Sequence, residues 1–64
     1  MAITDEDLER LRAYLSRGRR VALEEAGRLA VDAAIAAPGD HLQGIEIMIK
    51  TLQTIRKRLA GDDR

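Results

Sequence analysis

The side chains best suited to bind a charged partner are basic residues that cluster in two short segments. Residues 16–20 read SRGRR and residues 55–58 read IRKR. A guanidinium group presents a rigid fork of donors that matches a carboxylate or a phosphate, and an ammonium group adds a point charge. The candidate partner-binding set, called the basic pole below, consists of Arg17, Arg19, Arg20, Arg56, Lys57 and Arg58.

The chain as a whole has no excess charge to support such binding. Its 11 Lys and Arg residues equal its 11 Asp and Glu residues, so the formal net charge is +0. Glu24 and Glu25 follow Arg20 by about one helical turn and weaken its attraction for phosphate. Three interpretations of the basic pole stay open: it only faces water, it binds an acidic protein surface, or it binds a nucleic-acid backbone.

Residues for enzyme or metal chemistry are sparse. Cysteine is absent, so no thiolate is available, and the sequence shows no nucleophile–histidine arrangement. His41 is the only histidine and is expected as a surface residue of the first helical turn; the alternative is a general base or metal ligand completed by another chain. The carboxylates of Asp5, Glu6, Asp7 and Glu9 lack the glycine and the ligand spacing of a calcium loop. We therefore expect no catalytic residue, no cofactor, no metal and no enzymatic activity.

The apolar character of the third helix argues against sequence-specific DNA recognition. A recognition helix keeps polar side chains available for base edges, whereas this segment carries Ile45, Ile49 and Leu52. Tyr14 is the only aromatic residue, so single-stranded bases would have no set of rings on which to stack. A role with nucleic acid would therefore depend on the basic pole alone.

The elements that would position these residues are three helices, predicted at about 4–17, 19–37 and 40–60. The first begins with Thr4 at the N-cap and Asp7 three residues later, and the third repeats this relation with Asp40 and Gln43. Both are capping-box patterns, in which each side chain accepts a hydrogen bond from the other residue's backbone N–H. The pattern predicts where two of the helices begin.

Glycine and proline predict the connections between the helices. Pro38 and Gly39 end the second helix and indicate a tight turn into the third. Ser16 and Gly18 favour a break between the first and second helices. A single helix that continues through Gly18 stays an alternative, because one internal glycine costs only about 1 kcal/mol relative to alanine.

The two longer helices carry more apolar surface than one small core uses. The second helix is apolar around most of its circumference and is expected to lie centrally, touching both others. The expected core stripe of the third helix is Leu42, Ile45, Ile49, Leu52 and Leu59. The residues expected to serve self-association are Val31, Ile35, Ile47, Met48 and Ile55. Helices are expected to approach most closely at Gly27 and Gly44.

A hairpin about Gly39 would bring both halves of the basic pole to one end. Both of its helices rise about 1.5 Å per residue, so Arg20 faces the level of Arg58. The acidic residues expected towards the opposite end are Asp5, Glu6, Asp7, Asp32, Asp40 and Glu46. The i,i+4 ion pairs expected on solvated helix faces are Glu6–Arg10, Glu24–Arg28 and Glu46–Lys50.

Length and composition favour an assembly over an isolated chain. Its 64 residues predict one domain, 1–64, and a chain of this size has marginal stability on its own. Because Phe and Trp are absent, a second copy is the simplest source of further buried surface. The expected fold is all-α: a small three-helix bundle, made of a helical hairpin plus an N-terminal helix and completed by dimerisation.

These patterns predict a small helical protein–protein interaction module, such as a regulator, adaptor, inhibitor or accessory subunit. It would act as a homodimer and bind another protein. The alternative is a small nucleic-acid-associated protein that uses the basic pole. Residues 1–10 lack the apolar core of a secretory signal and no apolar run is long enough for a bilayer, so we expect a cytoplasmic protein without a membrane partner. The excess of Arg over Lys, with abundant Ala, favours a bacterial source.

Overall fold

The computed structural model describes residues 3–61, which form three α-helices. Helix α1 spans Asp5–Leu15, α2 spans Arg19–Ala36 and α3 spans His41–Leu59. The expected all-α three-helix bundle is confirmed, and each helix begins and ends within two residues of its predicted bounds. Residues 1–2 and 62–64, which the predicted 1–64 domain includes, lie outside the described residues.

The two predicted capping boxes are confirmed in full. The Thr4 hydroxyl accepts from the Asp7 backbone N–H at 3.0 Å, and the Asp7 carboxylate accepts from the Thr4 N–H at 3.3 Å. At the start of α3, the Asp40 carboxylate accepts from the Gln43 N–H at 3.0 Å and the Gln43 side chain accepts from the Asp40 N–H at 2.9 Å. These bonds satisfy backbone donors that have no partner within a helix.

A break at Gly18 separates α1 from α2, so the alternative of one long helix is wrong. The chain leaves α1 through a tight turn, in which the Arg17 N–H donates to the Tyr14 carbonyl at 2.9 Å and the Gly18 N–H donates to the Leu15 carbonyl at 3.3 Å. Gly18 has a φ of 133°, a conformation that a residue with a Cβ rarely adopts. The glycine therefore ends helical continuity by its backbone geometry.

The turn between α2 and α3 also depends on a glycine. Gly39 has a φ of 119°, and a Cβ at this position would collide with the side-chain oxygen of Gln43. That oxygen is the one that caps α3. The turn and the start of α3 are thus one packed unit, which holds the two longer helices as a hairpin.

Helix α2 lies centrally, as expected, since it contacts α1 and α3 more than those two contact each other. The small core contains Leu11, the largest fully buried side chain, packed with Leu29 and Ile55. Ile3 packs against the same cluster from the N-terminal segment. The remaining buried apolar residues are Leu8, Ala22, Ala30 and Ala33. Alanines let the helix backbones approach closely but contribute little buried area.

The burial of α3 corrects the predicted core stripe. Only Leu59 of the five predicted residues packs partly against the core. The other four are exposed: Leu42, Ile45, Ile49 and Leu52. Thr51 and Ile55 are buried instead. Helix α3 has two apolar lines. The line that contains Ile55 packs against Leu11 and Leu29 in the core, and the line from Leu42 to Leu52 is exposed. Periodicity identifies such lines but does not tell which of them the neighbouring helices cover.

The expectation of close helix approach at Gly27 and Gly44 is wrong within the chain. A Cβ placed on either glycine would meet no atom within 4 Å. Both glycines lie inside helices, where glycine is less favourable than alanine by about 1 kcal/mol. Neither residue is therefore required by the packing of this chain on itself.

Candidate interaction surfaces

The hairpin of α2 and α3 leaves a large apolar surface exposed to solvent. Ile35 is 77% exposed, Leu42 76% and Leu23 64%. We call this surface the apolar face and define it as Leu23, Val31, Ile35, Leu42, Ile45, Ile49 and Leu52. Its leucines and isoleucines outnumber those in the core, which is unusual, because soluble monomers rarely expose contiguous apolar patches of this kind.

Residues from both helices of the hairpin meet on the apolar face. Near the α2–α3 turn, a shallow groove of about 410 Å³ has Val31 and Ile35 on one wall and Ile45 on the other. Towards the opposite end, a groove of about 270 Å³ lies between Leu23 and Leu52, with Leu15 of α1 adding to its rim. Ile49 joins the two regions, since it follows Ile45 by one helical turn and lines a hollow with Leu52. The surface is thus continuous along the hairpin.

The residues predicted for self-association divide into three groups. Val31 and Ile35 are exposed on the apolar face. Ile47 and Met48 are half-buried, and Met48 lines the groove near the turn. Ile55 is a correction, because it is only 3% exposed and belongs to the core cluster. Its packing against Leu11 and Leu29 leaves it no surface to offer a partner.

Sequence reasoning missed the largest part of the apolar face. Apolar residues at three- and four-residue steps on α3 are typical of a buried helix side, whereas the structure exposes that side. Leu23 lies on α2, which is apolar on most sides, so its sequence does not distinguish Leu23 as an exposed residue. The available signal was the excess itself: two apolar helices and a short third helix cannot cover each other completely.

The basic pole is only partly available for binding. Leu15, Ala22, Arg56 and Leu59 line one groove, which places both basic segments at the same end of the hairpin, as expected. Arg19, Arg56 and Lys57 are exposed and form no ion pair within residues 3–61. These three side chains form the accessible part of the basic pole.

The other members of the basic pole have partners inside the chain. Arg20 lies 3.3 Å from Glu24, and the guanidinium of Arg17 stands 5.5 Å from the centre of the Tyr14 ring. Both interactions are exposed, so each contributes little to stability. The Glu24 carboxylate offsets part of the charge of Arg20, whereas Arg17 keeps its charge and is only oriented by the Tyr14 ring.

Arg58 has a structural position that corrects the predicted charge layout. It donates to the Ile3 carbonyl at 3.1 Å and to the Asp5 carboxylate at 2.8 Å. The Arg58 carbonyl in turn accepts from Arg12 at 3.2 Å. The start of α1 is therefore joined to the basic end of α3, and Asp5 does not lie at an opposite acidic pole. The sequence does not predict the contact between Arg12 and α3, because this contact depends on how α1 packs.

A second charged cluster joins α1 to α2 around a buried carboxylate. Glu25 is 9% exposed and accepts two hydrogen bonds from Arg28, one of them at 3.1 Å. Arg28 also donates to Asp32 at 2.7 Å, and Arg10 lies 3.9 Å from Glu25. The bidentate pair satisfies the buried oxygens, so Glu25 remains charged inside the bundle.

The hydrogen bonds from Arg28 lower the pKa of Glu25 below its ordinary value of 4.5, although burial acts in the opposite direction. The same pair raises the pKa of Arg28. Both shifts favour the ionised pair at neutral pH. The Glu25–Arg28 pair within α2 therefore stays ionised, and Arg10 of α1 lies 3.9 Å from its carboxylate.

The predicted i,i+4 ion pairs were right in one of three cases. Lys50 lies 3.9 Å from Glu46 as expected. Glu24 pairs with Arg20 and not with Arg28, because Arg28 turns to the buried Glu25. Arg10 lies 3.5 Å from Asp7 and takes no part in the expected pair with Glu6. The observed partners lie on the same helix at three- or four-residue steps, so helical spacing allows several partners and does not determine which one is chosen.

The candidate metal ligands among residues 3–61 are His41 and the acidic side chains. His41 is exposed in the first turn of α3. Among residues 3–61, no three His, Asp or Glu side chains are placed to hold a metal ion. Within the same part of the chain, no helix combines the length and the apolar character that a membrane span requires.

Comparison with known proteins assigns this chain to no family: no family model, no curated protein and no solved structure matches it.

Proposed function

We propose that this protein is a small helical protein–protein interaction module that acts as a homodimer through its apolar face. The observation that carries the proposal is the exposure of seven large apolar side chains on one hairpin, next to a core with few of them. Large exposed apolar patches are typical of partner surfaces. Arg19 and Lys57, the two accessible cations that line neither groove with Leu52, then remain for an acidic surface of another protein.

The extent of the apolar face fits a partner of this size. The seven residues of the apolar face are each 40–77% exposed, and a standard protein interface takes ~800 Å² from each partner. A twofold dimer is the simplest assembly, because each copy then uses the same surface. The roles consistent with such a module are regulator, adaptor, inhibitor and accessory subunit.

Replacing Ile49 by glutamate tests the proposal, because Ile49 lies in the middle of the apolar face. We expect the wild-type protein to have the mass of a dimer by light scattering after gel filtration at micromolar concentration. Ile49→Glu should dimerise about 100-fold more weakly or worse, since each dimer loses two isoleucines that stabilise it by ~1.5 kcal/mol or more each. Buried carboxylates without partners add a further cost.

The matched control is Thr54→Glu, which adds the same charge to an exposed position of α3 outside the apolar face. We expect this variant to stay dimeric, and both variants to keep the helical circular dichroism of the wild type. A wild-type protein that is a folded monomer at micromolar concentration would contradict the homodimer.

A second function is favoured by the accessible cations Arg19, Arg56 and Lys57, which form no ion pair within the described chain. These side chains could contact a phosphate backbone. Binding to phosphates releases counterions, so the affinity should fall steeply as salt rises, with a slope of about 0.9 per phosphate in a double-logarithmic plot.

Chromatography on heparin and titration with duplex DNA test this second function. The triple replacement Arg19→Ala, Arg56→Ala and Lys57→Ala should abolish retention on heparin at low salt and leave the helical content unchanged. Lys50→Ala is the control, because Lys50 lies beside Glu46 and away from the basic pole. If the wild type is not retained at low salt, the nucleic-acid role is wrong.

A further inference from the structure

We propose that the two copies cover each other's apolar face in an antiparallel arrangement, with the α2–α3 turn of each copy beside the basic pole of the other. The inference rests on the proposed homodimer and adds its partner geometry. The twofold axis would lie in the interface and cross the hairpin at right angles to its helices. Helix α3 then faces α3 of the second copy, and α2 faces α2.

The spacing of the exposed apolar residues on α3 is the same when it is read in either direction along the helix. Leu42, Ile45, Ile49 and Leu52 follow each other at steps of three, four and three residues, so they form one line on the helix. An antiparallel partner helix centred at the same level therefore places Leu42 opposite Leu52 and Ile45 opposite Ile49. Each apolar side chain of the line meets an apolar side chain.

The exposed line on α2 also has a spacing that is the same in both directions. Leu23, Gly27, Val31 and Ile35 are separated by four residues each. Reversal places Leu23 opposite Ile35, and Gly27 opposite Val31 of the second copy. A Cβ at Gly27 would meet open space within its own chain, which leaves room for the valine side chain of the second copy. This gives a packing role to a glycine that the single chain does not use.

A single twofold axis can relate α2 to α2 and α3 to α3 of the second copy. The line on α3 is centred at Ile47 and the line on α2 at Leu29. Ala26 and Leu52 line one groove, and Ala34 and Gly44 line the other, so the two centres lie at nearly the same level of the hairpin. Their separation along the hairpin is within about one helical turn, or ~5 Å. A common axis is what an isologous dimer requires.

The charges distinguish this arrangement from a parallel one. A parallel dimer would place the accessible cations Arg19, Arg56 and Lys57 of both copies at one end, where like charges repel. Reversal separates these ends and brings the exposed Asp40 of one copy near Arg56 of the other. The two residues are offset by about 3 Å along the helix direction, within reach of a guanidinium group. Charge complementarity therefore selects the antiparallel orientation.

Disulfide cross-linking tests the arrangement, because the natural chain contains no cysteine. Single replacements Leu42→Cys, Leu52→Cys and Leu23→Cys change exposed positions, and circular dichroism verifies that each variant is folded. Pairs of variants are mixed, one of them isotopically labelled, and oxidised at a concentration where light scattering shows the wild-type dimer. Mass spectrometry then identifies which chains have joined.

We expect Leu42→Cys and Leu52→Cys to form a disulfide with each other at least ten-fold faster than Leu52→Cys forms one with itself. In the antiparallel dimer, two copies of position 52 are ~15 Å apart along the helix, and a disulfide requires Cα atoms within about 7 Å. A parallel dimer would instead join Leu23→Cys to Leu52→Cys.

The outcomes separate this inference from the proposed function. A dimer that joins positions 23 and 52, or that fails to join positions 42 and 52, overturns the antiparallel arrangement and leaves the homodimer standing. A protein that is monomeric by light scattering contradicts the proposed homodimer itself, and the arrangement with it.

Discussion

Glu25 is a buried carboxylate of α2 that Arg28 binds through two hydrogen bonds and that Arg10 of α1 approaches to 3.9 Å. Its place between Glu24 and Arg28 predicts a solvated polar arc on α2. The structure instead buries Glu25 between α1 and α2, where Arg28 binds both carboxylate oxygens. Burial here depends on the side from which α1 approaches, and that information is not local to α2. The capping residues Thr4 and Asp40, by contrast, act within one helical turn and were predictable from their spacing.

Replacing Glu25 by glutamine should make stability less sensitive to acid. The pKa of Glu25 is lower in the folded chain than its ordinary value of 4.5, so the unfolded chain binds a proton more readily. The stabilisation is therefore complete above about pH 4.5 and is lost as the pH falls through the folded pKa. Urea unfolding at pH 7 and at pH 3 should show a smaller loss for Glu25→Gln than for the wild type.

Glu24→Gln is the control for this comparison, because Glu24 makes only an exposed pair with Arg20. Its pH dependence should follow that of the wild type. If Glu25→Gln loses as much stability between pH 7 and pH 3 as the wild type does, the Glu25–Arg28 pair does not contribute to the acid sensitivity.

At the scale of the elements, the sequence predicts where helices begin and end better than which sides they bury. Caps and breaks depend on a few adjacent residues, so Asp40, Gly18 and Gly39 mark their boundaries directly. The faces of α3 depend on competition between two apolar lines. Both lines satisfy helical periodicity, and the choice between them follows from the position of Leu11 and Leu29 on the other helices.

Gly18→Ala should destabilise the bundle by about 1–3 kcal/mol, since the φ of 133° at this position is strained for alanine. Gly27→Ala offers an informative contrast, because Gly27 lies inside α2 and faces open space in the chain. Its replacement should stabilise the monomer by up to ~1 kcal/mol. Both are measured by urea unfolding in the Ile49→Glu background, which would remove the contribution of the proposed dimer.

The same substitution is thus expected to have opposite signs at the two glycines. Equal losses at both positions would mean that backbone conformation at Gly18 does not determine the break between α1 and α2. A gain at Gly18 would contradict the conformational argument directly.

For the whole molecule, the fold class and the hairpin could be predicted, whereas the charge layout could be predicted only in part. Both basic segments lie at one end, as the hairpin geometry requires. Asp5 does not lie opposite them, because Arg58 reaches Ile3 and Asp5, whereas Asp7 lines a pocket with Asp32. The direction in which a short helix crosses a hairpin depends on side-chain packing across all three helices. Helical spacing along the sequence does not determine this crossing direction.

The imbalance between a small core and a large apolar face has a consequence for the lifetime of the protein in a cell. Proteolysis acts on chains that open transiently, in proportion to their population. If a second copy covers the apolar face, pairing reduces that population by mass action. Newly made protein would then be degraded fastest when it is scarce and persist once it is abundant, so its own expression level would set its turnover.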